Sequence, residues 1–118
     1  MIDEVLNRVL AKIEGARCVL LAGTDGVIVA TAVAEGAPAP DMVAASLADL
    51  FRKVAAAYRD AGLVPPAEFA SAGGGEQAAL RAVTGQYLLL AVLDGVASLG
   101  RARFELRKAA ADLQPELV

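Results

Sequence analysis

Residues 17–32 constrain this chain more than any other stretch. Two apolar, β-rich runs, residues 17–22 and 27–32, flank Gly23-Thr24-Asp25-Gly26. An Asp-Gly pair supplies the positive φ angles that primed hairpin turns need. Neither run alternates polar with apolar residues, so each reads as a strand covered on both faces. The pattern predicts a hairpin in the middle of a sheet with helices on both sides.

The flanking segments supply those helices. Ile2, Val5, Leu6, Val9, Leu10 and Ile13 recur at helical spacing over residues 2–14, with Asp3 and Glu4 near the N-terminal dipole and Gly15 as a stop. After a breaker-rich linker, Asp41 stands as an N-cap before a helix that runs to about Ala61, with Gly62 and Pro65-Pro66 beyond it. Val43, Leu47, Leu50, Phe51, Val54 and Tyr58 form the stripe expected to lie on the sheet. Beside it runs a small-residue stripe of Ala44, Ala45, Ala48, Ala55 and Ala56, which would admit close approach of another helix; alanine as a plain helix former is the simpler alternative.

Residues 68–72 and 77–83 read as two strands joined by a turn at Gly73-Gly74-Gly75-Glu76. Residues 87–93 are the most apolar run and read as a buried central strand. Ser98 is an N-cap candidate for a last helix whose inner face is Leu99, the Arg103 stem, Leu106, Ala109, Ala110 and Leu113, widened by Ala102 and Phe104. Gly100, costly in a helix, is expected to permit close approach to the sheet, and Pro115 to end the helix. The order is α-β-β-α-β-β-β-α, an α+β arrangement of five mostly antiparallel strands and three helices in a single domain spanning residues 1–118.

Composition narrows the function. A net charge of −3 and the absence of a dense Lys/Arg run argue against nucleic-acid binding; Arg101, Arg103, Arg107 and Lys108 read as a solvated helix face. The longest apolar run is too short to insert in a membrane, and the acidic opening Met1-Ile2-Asp3-Glu4 is not a signal peptide, so a cytoplasmic location is expected. There is no histidine, and the lone Cys18 reads as a buried structural thiol. Asp25 and Asp94 each precede a glycine and read as turn residues. The glycine-rich loop lacks the Lys-Ser/Thr and following helix of a phosphate loop. Nothing suggests catalysis, a metal or a cofactor. With 27 alanines and only five aromatic residues, the core gains little transfer energy per residue, which favours burial of further surface in an oligomer.

The element order resembles the Roadblock (dynein light-chain) family, including its bacterial MglB-like regulators of small GTPases. The likeness is carried by residues 20–30, a strand, Asp-Gly turn and strand, and by residues 97–110, a polar residue, Leu and Gly opening a helix. It implies a profilin-like sandwich, with the middle helix on one face of the sheet and the terminal helices on the other. It also implies a homodimer in which third strands pair and middle helices lie side by side. Carried onto this chain, the interface would comprise Glu68, Phe69, Ala70, Ser71 and Ala72 with Ala44, Ala45, Ala48, Arg52, Ala55 and Ala56. Asp49, Lys53 and Arg59 are candidates to face a partner. The implied function is a non-catalytic regulator or scaffold for a Ras-like small GTPase, one form of which activates hydrolysis by remodelling switch loops. A small-molecule sensor or adaptor domain is the alternative, weakened by the lack of polar groups directed at a pocket.

Overall fold

The computed structural model describes residues 1–117. Helix α1 (Ile2–Lys12) leads into strands β1 (Ala16–Gly23) and β2 (Ile28–Val33). Helix α2 (Pro40–Asp60) follows, then β3 (Glu68–Ser71), β4 (Glu76–Ala82), β5 (Tyr87–Asp94) and α3 (Leu99–Leu113), which runs on into a 3₁₀ turn at Gln114–Leu117. The strands form one sheet in the order β2-β1-β5-β4-β3, with every neighbouring pair antiparallel. The expected α+β sandwich is therefore the observed one.

Strand order corrects the place of the hairpin. The most apolar run, β5, inserts between β1 and β4 and takes the centre. β1 is almost wholly buried as a result, whereas β2 lies at an edge with Val29 and Val33 exposed. The turn differs as well. Among the described residues only glycines adopt positive φ, so Gly26 (φ 88°) carries it alone. Gly26 N donates to Gly23 O and Gly23 N to Val27 O, a longer hairpin loop closed by one left-handed glycine rather than a primed two-residue turn. Asp25 Oδ1 accepts from Val27 N and Asp94 Oδ1 from Val96 N, which fixes both aspartates as turn residues.

Alternation along the strands divides the core into two layers. On one face Val19, Leu21, Leu89, Ala91 and Leu93 meet α1 (Val5, Leu6, Val9) and α3 (Ala102, Leu106, Ala109, Leu113). On the other, Cys18, Leu20, Leu80, Leu88, Leu90 and Val92 meet Ala44, Ala48 and Phe51 of α2.

The helix ends show which local signals governed. Ser98 Oγ accepts from Arg101 N at 3.0 Å, capping α3. Gly62, at φ 77°, ends α2, and Leu63 N reaches back to Tyr58 O as in a Schellman motif. Asp41 is not the N-cap; Ala39 is, with Pro40 opening the helix and Asp41 placed in the first turn, where its charge suits the dipole. α1 ends at Lys12 because Ile13 turns extended to enter the core. Three expectations for α3 fail, the first being Arg103, which is exposed beside the buried stripe and not part of it. Phe104 is exposed rather than inward, since the buried stripe runs through Ala102, Glu105, Leu106 and Ala109. A Cβ on Gly100 would meet only the Ser98 Oγ, at 4.0 Å, so no close approach requires the glycine.

Candidate interaction surface

The structure divides both expected stripes on α2 between its inner and outer faces. Ala44 and Ala48 are fully buried against the sheet together with Phe51, a spacing of four and three residues that forms one helical face. They are not available to a second helix, which corrects their place in the expected seam. Small residues here let the sheet's own leucines fill the layer beneath α2. Close approach also extends to the hairpin: a Cβ on Gly26 would stand 3.1 Å from the Ala45 Cα. Val43 and Leu47 pack partly against this layer, while Leu50 and Tyr58 are exposed, against expectation. Their helical phase turns them away from the sheet, and Met42 joins them on the outer surface.

Of the remaining seam residues, Ala45 and Ala56 are exposed and Ala55 is half-buried. Arg52 is partly engaged within the chain. Its guanidinium donates to the Thr24 carbonyl, tying α2 to the hairpin turn, and to Asp49 Oδ1 at 3.2 Å. Lys53 Nζ lies 2.9 Å from Asp49 Oδ2. The hydrogen bond from Lys53, ahead of its charge and of Arg52, holds the Asp49 carboxyl below its ordinary value. Among the three partner-facing candidates, Asp49 is therefore internally neutralised. Lys53 is largely exposed beyond its i,i+4 pair, and Arg59 is exposed at the end of the helix.

β3 is the second free edge of the sheet and spans four residues; Ala72 lies beyond it, in the turn. Its register with β4 is Glu68↔Arg81, Phe69↔Leu80, Ala70↔Ala79 and Ser71↔Ala78. Ala82 N donates to Ala67 O in the same register. Alternation then turns the backbone of Phe69 and Ser71 toward β4 and that of Glu68 and Ala70 toward open solvent. Side chains alternate too. Phe69 packs on the α2 layer, whereas Glu68 meets Arg103 of α3 on the opposite face.

Helix α2 covers β1 and β5 but leaves the β3–β4 side of its face open. Two grooves mark that strip. One, of about 360 Å³, lies between the first half of α2 (Met42, Val43, Ser46) and Ser71, Ala78 and Val92. The other, of about 330 Å³, lies beside Arg52, Ala55 and Arg59, over Ala82 and the 84–85 turn. Phe69, Ala78 and Ala82 are only partly buried there. The grooves are shallow and apolar at the base, suited to side chains from another surface more than to an enclosed polar ligand. Burial pushes the Cys18 thiol up from its ordinary value, which keeps it protonated and inert. Among the described residues, no group of three or more His, Cys, Asp or Glu could hold a metal ion, and no helix is long and apolar enough to cross a membrane.

The sequence reading missed Glu105. It is 3% exposed on α3, with Arg101 Nε 3.2 Å from Oε2 and Lys108 Nζ 3.5 Å from Oε1. The i−4 and i+3 cations were the available signal.

No family model matches the sequence, and no curated protein matches it by sequence. Solved structures do match. An MglB with a tetrameric arrangement is 26% identical, with a TM-score of 0.86 over 97% of this chain and 85% of that one. A Roadblock/LC7 domain from Streptomyces avermitilis is 14% identical, with a TM-score of 0.81 over 98% and 96%. Profilin II from Acanthamoeba castellanii shares the fold more distantly, at 21% identity and a TM-score of 0.63 over 97% and 94%.

Proposed function

We propose that this chain, whose fold matches those of a solved MglB and a Roadblock/LC7 domain, is a homodimeric, cytoplasmic, non-catalytic regulator or scaffold for a Ras-like small GTPase. The observation that carries this reading is the open β3 edge next to a half-covered sheet face. The outward backbone groups of Glu68 and Ala70 are unpaired among the described residues, and unpaired edges are a liability that pairing between copies removes. A second α2 beside the first would cover Phe69, Ala78 and Ala82 and contact Ala45, Ala55 and Ala56. The solved MglB with a tetrameric arrangement supports self-association as a property of this kind of domain.

Such a dimer would act on a GTPase by selecting a conformation of its switch loops. Lys53, Arg59 and the exposed Met42 and Leu50 of α2 are the side chains this reading offers the partner. The test is binding and GTP hydrolysis with a purified Ras-like GTPase from the same organism. We expect binding that differs between the GDP and GTP forms; no binding to either form ends the proposal. Light scattering reads the dimer separately.

A further inference from the structure

Two arginines contact the carboxylate of Glu68, and a third stands one turn along α3 from the first. Arg103, from α3, donates to its Oε1 at 2.6 Å. Arg81, directly opposite on β4, lies 3.5 Å from its Oε2. Arg107, one turn along α3, acts on the same carboxylate through its charge and makes no ion pair of its own among the described residues. Burial separates the members of this cluster. The Glu68 and Arg81 side chains are 23% and 25% exposed, whereas Arg103 is about half exposed and Arg107 faces solvent. One carboxylate among three guanidinium groups leaves a local excess of positive charge, on a chain whose net charge is −3. Phe104 is exposed on the same flank of α3, with Lys108 Nζ 5.1 Å from its ring centroid.

We infer that Arg81, Arg103 and Arg107, together with Phe104, form a docking surface for an acidic segment of a protein partner. The arginine cluster takes the segment's carboxylates, and Phe104 takes an apolar side chain. Charge complementarity selects the occupant: guanidinium groups recognise carboxylates through paired hydrogen bonds, and the one anion already seated in the cluster is a carboxylate. A membrane surface fits less well, because a single exposed Phe offers little apolar area to insert. The surface lies on the α3 face, opposite α2, so it goes beyond the proposed function; it adjoins the proposed dimer edge at Glu68, and the two are read separately below. Glu68 then has a second role as an internal competitor, occupying the arginines until a stronger acidic ligand arrives.

The test is fluorescence anisotropy of the full chain with a labelled Glu-Leu peptide and a Gln-Leu control. Wild type should bind the Glu peptide alone, and binding should weaken by about tenfold between low and high salt. Arg107→Glu, at an exposed and unpaired position, should fold normally and lose at least about tenfold in affinity, with Phe104→Ala losing less. Glu68→Gln should bind the peptide more tightly. Equal binding of the control peptide, no effect of Arg107→Glu, or weaker binding by Glu68→Gln overturns the inference. So does Arg107-dependent binding to phosphatidylserine vesicles without peptide binding, which would assign the surface to lipid. Light scattering on the same samples reads the dimer, so failure of one proposal is separable from failure of the other.

Discussion

The two faces of the sheet are built to different specifications. The α1–α3 face is closed by two helices whose Val and Leu side chains, with Ala102, Ala109 and Ala110 of α3, form a continuous layer over the sheet. The α2 face is closed by one helix that approaches on alanines and leaves the β3–β4 side only partly covered. Both layers are apolar, yet only the first is complete within the chain. A face finished internally serves stability, and a face left unfinished beside an open edge is suited to association. The 27 alanines expected to weaken the core are thus not spread evenly in their consequences. On α2 they thin the contact layer and set how near the helix lies to the sheet.

The comparison can be broken most directly in the closed layer. Leu106→Ala removes a side chain with 1% exposure between α3 and the sheet and should cost about 2–5 kcal/mol. Urea unfolding should show the same loss at every protein concentration; a loss that shrinks at high concentration would mean that this face, too, is completed by association. On the other face, Ala48→Leu forces a large side chain into a layer with no room and should cost about 1–3 kcal/mol. A neutral outcome in thermal unfolding would show that α2 rides higher on the sheet than its buried alanines indicate.

The edge gives a sharper test. Ala70→Pro deletes an N–H that points away from β4, so the ladder bonds made through Phe69 and Ser71 have no partner removed. We expect dimer affinity to fall by at least about tenfold, with a smaller loss of monomer stability. A full dimer by light scattering at low micromolar concentration would defeat edge pairing through β3.

The smallest expected effect concerns acid. The hydrogen bond from Arg103, the largest cause, with the charges of Arg103, Arg81 and Arg107, holds the Glu68 carboxyl below its ordinary value of 4.5 despite partial burial. A carboxyl lowered in the folded state contributes stability above its unfolded value and loses it as pH falls through the folded one. Wild type should therefore lose stability below about pH 4.5 more steeply than Glu68→Gln. Parallel curves from urea titrations across that window would show that the arginine cluster does not stabilise the fold.

Much of the architecture was readable along the chain because it rests on short-range chemistry. The Ser98 cap, the Gly62 stop, the Asp25 and Asp94 turns and the buried run of β5 depend on neighbours within a few residues. The interaction surface was less readable. Ala44 and Ala48 were assigned outward because bulky residues run along the same helix, and composition does not fix which stripe of a helix meets the sheet. Leu50 and Tyr58 are exposed for the same reason. Glu105 was passed over because charged residues are seldom buried, and its partners became significant only once α3 was docked.

The sequence by itself determined the elements and their order, because caps, breakers and hydrophobic periods act locally. Only the tertiary structure placed β5 between β1 and β4, which moved the hairpin from the centre to an edge and left β3 as the other edge. It alone brought Arg81 and Arg103 to Glu68, residues up to 35 positions apart. Strand order and side-chain clustering are contacts between distant residues, and a local signal carries no information about which distant segments will meet.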